Sequence, residues 1–144
     1  MKALICKYWQ IHWRTTPICN DRDLFNELKT ISNQNWVEFG LLIGITYAES
    51  HIGTNFAPSA DCALSNNWAG IKNNFERDRN YREWCRLHQY DNIQWFWQDF
   101  AKLINRWYIS KDCKTATCIS RRWVKGNGSL EGKQGRINRV SLFM

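Results

Sequence analysis

The run from Trp36 to Ala48, WVEFGLLIGITYA, constrains this chain more than any other stretch, and it closes on the acid Glu49. Leu41, Leu42, Ile45 and Ala48 recur at helical spacing, while Phe39, Ile43 and Tyr47 fill much of the remaining circumference. A helix apolar on most sides must be buried, so the rest of the chain has to pack around it. Asn35 is the predicted N-cap, with Glu38 three residues on reaching back to it. Gly53 is the predicted stop. Glu49 follows Ile45 by one turn and projects near the helix C-terminus, beside apolar surface. Burial penalises its charge, and the negative end of the helix dipole repels it. A carboxyl group kept protonated near neutral pH is what a general acid needs. The plain alternative is a partly exposed terminal carboxylate with no special role.

The chain has 144 residues, which predicts one domain over 1–144, able to bury about two-thirds of its unfolded surface. Nine tryptophans are a high load for this length; some must be core, and others could offer flat faces to sugar rings. The formal charge of +7 favours a polyanionic partner, either nucleic acid or an anionic bacterial envelope. Positive charges are scattered among acids, so charge alone does not choose between them. No stretch approaches the roughly eighteen apolar residues of a membrane span. The apolar start of MKALICKYWQIHWRTT is soon broken by Lys7, Gln10 and His12, which reads as mature domain and not as a secretory signal.

The six cysteines permit fifteen pairings. Their even number points to an oxidising destination, and buried reduced thiols are the alternative. Cys62 with Cys85 is the attractive pair, bracketing the segment between them; Cys6, if paired with Cys19, would staple the N-terminal arm, and Cys113 with Cys118 could close a tight local bridge. A zinc site is not expected: there is no Cys-x-x-Cys, and His12, His51 and His88 lie at unrelated spacings.

In chain order, the first twenty residues are ambiguous, because Tyr8, Trp9, Ile11 and Trp13 alternate in part before Pro17 intervenes. Asp21–Asn33 reads as an amphipathic helix with Leu24, Phe25, Leu28 and Ile31 on one face. From Thr54 to Gln89 the helical pattern disappears, and the charged run FERDRNYREW has little apolar period. Asp91 or Asn92 then caps a long helix through about Ser110, with Ile93, Phe96, Trp97, Phe100, Leu103, Ile104 and Trp107 as its apolar face. Cys113–Val124 predicts a shorter helix. Lys125–Ser129 is a loop without the ending of a phosphate cradle. Gly132–Phe143 predicts a last helix packing Ile137, Val140 and Leu142.

Three motifs stand in order: Ala48-Glu49-Ser50-x-x-Gly53, then Asn67-Trp68-Ala69-Gly70-Ile71-Lys72, then Leu87-His88-Gln89-Tyr90-Asp91-Asn92. Together they resemble the flagellar-type peptidoglycan glucosaminidases of glycoside hydrolase family 73, within the lysozyme-like superfamily. There an Ala-x-Glu-Ser segment ends the catalytic helix, an Asn-Leu-Phe-Gly-Ile-Lys-like turn opens the opposite wall of the cleft, and a Phe-Arg-x-Tyr-x-Ser-like strand follows. Here Ala48 precedes Glu49 directly, Trp68-Ala69 replaces Leu-Phe, and His51 stands where the family has Gly.

The resemblance covers roughly Trp36 to Tyr108. It implies a mainly α, lysozyme-like fold: a helical lobe around a buried central helix, faced across a cleft by a small lobe of loops or a β-hairpin at about 54–89. It implies Glu49 as general acid. Counting back from Leu87 makes Glu76 the nearest second carboxylate, with Asp78, Glu83 and Asp61 behind it, although the family's Thr-x-Glu context is missing. Ser50, Asn67, Trp68, Gly70, Tyr81 and Tyr90 become the substrate-binding candidates. Ser50 equally suits simple capping, and Trp68 equally suits a core plug.

The expected activity is hydrolysis of the peptidoglycan glycan strand, glucosaminidase-like, with no cofactor and no metal. A muramidase or lytic transglycosylase of the same fold is the near alternative; the Gly-Ile-Lys turn, in place of the latter's Gly-Leu-Met-Gln-like one, favours the hydrolase. An inactive glycan-binding or assembly protein is a second class, and a basic nucleic-acid-binding module, with no motif behind it, a third. Nucleic acid and stable membrane insertion are not expected, and a monomer is. The expected site of action is the bacterial periplasm or cell wall, reached through a phage holin, a virion or a secretion machine.

Overall fold

A computed structural model describes residues 1–11, 16–50, 66–71, 88–123 and 130–144. Every regular element among the described residues is helical, so the fold is mainly α. Much of the expected small lobe, including Glu76, Tyr81, Asp61, Asp78, Glu83 and the pair Cys62 and Cys85, lies outside the described residues, as do His51, Gly53 and the loop 125–129.

The undecided N-terminal arm is helical: α1 spans Lys2–Ile11 and α2 spans Pro17–Asn20. Thr16 caps α2, its hydroxyl accepting from the Ile18 N–H at 3.4 Å, and Pro17 takes the first helical position, where a missing N–H is harmless. The disulfide Cys6–Cys19 ties the two helices together over fully buried Ile5 and Ile18.

Helix α3 (Leu24–Gln34) is entered through Asp21, whose Oδ1 accepts from the N–H groups of Asp23 at 3.0 Å and Leu24 at 3.2 Å. It ends in a Schellman motif: Val37 N–H donates to the Ser32 carbonyl and Trp36 N–H to the Asn33 carbonyl, both at 3.1 Å. Asn35 is therefore the C-cap of α3, not the N-cap of the next helix. The buried central helix α4 begins later than its sequence predicts, at Phe39, and runs to Ser50. The preceding residues are occupied in stopping α3. Leu41, Leu42, Ile43, Ile45 and Thr46 are all buried, as an all-round apolar sequence requires.

Helix α5 (Ile93–Trp107) is capped by Asn92, whose side chain accepts from Trp95 N–H at 2.8 Å. Its Phe96, Trp97, Phe100 and Ile104 are fully buried, each side chain contributing roughly 1.5–3 kcal/mol of apolar burial. The indole N–H of Trp97 is satisfied inside the core by Ser32 Oγ at 2.8 Å, which in turn donates to the Leu28 carbonyl, so α3 and α5 are joined by a closed polar chain. Trp107, expected on the apolar face, is half exposed, because α5 outruns the core by its last turn. A single 3₁₀ turn, Ile109–Lys111, leads to α6 (Ala116–Trp123), which Cys113–Cys118 staples to the preceding segment.

Helix α7 (Leu130–Ser141) lies along α4. Val140 and Phe143 pack inward while Leu142 is exposed; the expected core position is thus taken by the next residue, where the helix has already ended. Gly40 and Gly44 make this contact possible. A Cβ on Gly44 would strike the Val140 carbonyl, and one on Gly40 the Phe143 carbonyl, so the two backbones touch directly.

Candidate functional site

Glu49 stands at the end of α4 with its side chain 18% exposed, where the sequence places it. Its surroundings are apolar on one side. Ile45, Ile119, Trp123 and Val140 line a void of about 10 Å³ beside it, and Ser120 and Arg136 complete the lining. That space is about the least that can hold a single water. Ser120 Oγ is buried and has no hydrogen-bond partner among the described residues.

The expectation of an isolated, uncharged acid did not include Arg136. Its guanidinium Nη1 donates to Glu49 Oε1, and the two side chains form an ion pair that is largely shielded from water. The penalty of placing a carboxylate among Ile45, Trp123 and Val140 is thereby offset by a charge-assisted hydrogen bond. Arg136 follows from the antiparallel register already fixed by the two glycines. Gly40 meets Phe143, Gly44 meets Val140, and further along, five residues on in α4 and four back in α7, Glu49 meets Arg136. Arg136 lies 87 residues from Glu49 in sequence. The only local signal was its place one turn before Val140 on the tail helix.

The second and third motifs come together. Asn67 is buried, and its amide makes a closed set of bonds: Oδ1 accepts from Ile71 N–H at 2.9 Å, and Nδ2 donates to the carbonyls of Ile71 at 2.8 Å and His88 at 3.1 Å. His88 N–H donates to the Ile71 carbonyl at 2.8 Å, and Asn66 Nδ2 to the Tyr90 carbonyl at 2.9 Å. The turn at 66–71 is thus fastened to residues 88–90. Gly70 occupies it with φ 67°, a left-handed conformation that favours glycine.

Trp68 takes the core-plug position: it is buried, with ring centroids 6.3 Å from Phe96 and 6.2 Å from Trp97. Such a ring has no open face for a sugar. Tyr90 is also buried, and its hydroxyl donates to Asp99 Oδ2 at 2.5 Å while its ring packs on Phe96 and on His88. Both aromatics therefore anchor the turn to α5. Ser50 ends α4 in the backbone. Among the described residues, no three His, Cys, Asp or Glu side chains gather as a metal site would require.

No protein-family model, no curated protein and no solved structure matches this chain.

Proposed function

We propose that this chain is a lysozyme-like glycosidase of the peptidoglycan glycan strand, similar to the family 73 glucosaminidases, with Glu49 as its general acid. The observation that carries the reading is the setting of Glu49: a single carboxylate at the end of a buried apolar helix, shielded from water and held in one orientation by Arg136. The pair orients the side chain, as catalysis asks of a scaffold, and the proton that the acid step needs is taken up once the pair has opened. The fastened turn at 66–71 supports the reading, since its Asn67 and Gly70 sit in the motif that the family uses to floor its cleft.

In the reaction, substrate parts Glu49 from Arg136, and Glu49 takes up a proton from solvent and delivers it to the leaving glycosidic oxygen. The oxocarbenium-like centre is met by a second carboxylate, for which Glu76 is the candidate, or by the substrate's own N-acetyl group. Arg136 is the positioning residue that keeps the Glu49 carboxylate aimed while no substrate is bound. The two disulfides among the described residues suit an oxidising, extracytoplasmic site of action, and delivery as a phage-type lysin or wall-piercing enzyme would place the chain there.

The same ion pair favours one second reading. Glu49 and Arg136 would then be a structural bridge between α4 and α7, in a glycan-binding or assembly protein without catalysis. The two readings part on one assay, the release of reducing ends from purified sacculi by the native chain and by Glu49→Gln. An enzyme releases them, and the variant loses on the order of a hundredfold or more. A binding protein releases none in either form.

A further inference from the structure

The outer face of α5, with the corner joining it to α6, concentrates exposed indoles and cations. Between residues 100 and 123 stand six basic side chains, Lys102, Arg106, Lys111, Lys114, Arg121 and Arg122, against one acid, Asp112. That segment accounts for five of the chain's seven net positive charges, and all six cations are exposed. Contacts place four of them, Arg106, Lys111, Lys114 and Arg122, about one corner. The Arg106 guanidinium lies 5.4 Å from the centre of the Trp107 ring, and the Lys111 ammonium 4.8 Å. Lys102 precedes Arg106 by one turn on the same helical stripe. Lys114 pairs with Asp112 at 3.5 Å, and Arg122 is close enough to act on the Tyr108 phenol.

Exposed indoles border this stripe, with Trp107 about a third of a turn round α5 from Trp95 and joined to the stripe through Arg106. Trp95 heads the stripe of Lys102 and Arg106 and is 68% exposed, and Trp107 is 53% exposed. Trp36, 84% exposed, stands alongside: Asn105 Nδ2 donates to the carbonyl of its neighbour Asn35 at 2.8 Å, and Asn35 Nδ2 donates to Gln98 Oε1 at 3.4 Å. The one acid on the stripe, Asp99, is engaged by the Tyr90 hydroxyl.

We propose that this face docks on the surface of a bilayer rich in anionic phospholipid, with the indoles at headgroup level and the cations on lipid phosphates. Tryptophan favours that depth, where its ring is apolar and its N–H stays wet, and a cluster of Lys and Arg is drawn to the negative surface potential. No helix of the described residues is long and apolar enough to cross a membrane, so the contact is peripheral. A nucleic-acid strand is the other polyanion this charge could attract, and competition by duplex DNA is the outcome that decides against the bilayer. The inference does not rest on the glycosidase reading.

Co-sedimentation of the full chain with phosphatidylcholine vesicles, with and without phosphatidylglycerol, tests it. Binding is expected only with the anionic lipid and is lost as salt is raised. Arg106→Gln and Lys111→Gln each weaken partitioning about fivefold, and the double variant Trp95→Ala/Trp107→Ala weakens it severalfold. Glu49→Gln binds as the native chain does, which separates this outcome from loss of catalysis. Equal partitioning to neutral and anionic vesicles overturns the proposal. So does indole-independent binding, or duplex DNA that competes as well as anionic vesicles do, since either reduces the face to bare charge attraction.

Discussion

Arg136 on α7 closes on Glu49 at the end of α4, as the last of three antiparallel rungs begun by Gly40 with Phe143 and Gly44 with Val140. The first two rungs are backbone against glycine, and the third is charge against charge. The acid is thus aimed by the same helix pair that buries the core. Removing one partner leaves the other charge shielded and unmatched. Arg136→Met should cost about 2 kcal/mol of stability. Because Glu49→Gln/Arg136→Met leaves no lone charge, it should be milder than the two single losses added, with a coupling of about 1 kcal/mol. Urea unfolding of the four proteins measures both; strict additivity would mean that the pair is not formed.

Gly44→Ala gives a sign test of the helix contact. On helix propensity alone, alanine should stabilise α4 by roughly 1 kcal/mol. The Val140 carbonyl stands where the new methyl would go, so the substitution should instead destabilise by about 1–3 kcal/mol. Thermal unfolding shows which effect wins, and a raised midpoint would place α7 elsewhere.

Trp36 sits at the C′ position of α3 with φ 58°, a conformation costing an L residue roughly 1–2 kcal/mol and one that glycine adopts freely. It makes up little of this by burial, being the most exposed of the large hydrophobic residues described. Trp36→Gly should therefore stabilise the fold by about 0.5–1 kcal/mol in denaturant unfolding. An indole kept at such a position fits a surface role, and the same variant should partition less well to anionic vesicles.

The central helix was legible because nearly every residue from Phe39 to Ala48 is apolar, and such a segment has only one way to avoid water. The faces of α3 and α5 were equally plain in the spacing of Leu24 with Leu28 and of Phe96 with Phe100. Boundaries were not. Asn35 suits an N-cap and a C-cap equally, and its role was decided by Trp36 and Val37 donating back to Asn33 and Ser32. Trp107 and Leu142 obey the right period but lie where their helices have passed the core, which a one-dimensional pattern cannot register. At the site, the position of Glu49 followed from local spacing. Its partner depended on how α7 lies along α4, and so on Gly40 and Gly44, whose meaning appears only when the helices meet.

Burial raises the Tyr108 phenol above its ordinary value of 10.0, and the nearby Arg122 only partly opposes this. The folded state therefore holds the proton more tightly than the unfolded chain. The corresponding stability is present in full below the unfolded value and is lost as pH rises through the folded one. Stability should fall on the alkaline side of pH 10.0, and Tyr108→Phe should flatten that part of the profile. Unchanged alkaline slopes in the variant would assign the loss to other groups.

The products made from purified peptidoglycan test the central claim most directly. Mass spectrometry of a digest by the native chain should find glycan fragments with new reducing N-acetylglucosamine ends, and Glu49→Gln, folded to the same far-ultraviolet spectrum, should yield none above background. Undigested sacculi with the native chain, or equal product from the variant, would contradict the assignment of Glu49 as the acid.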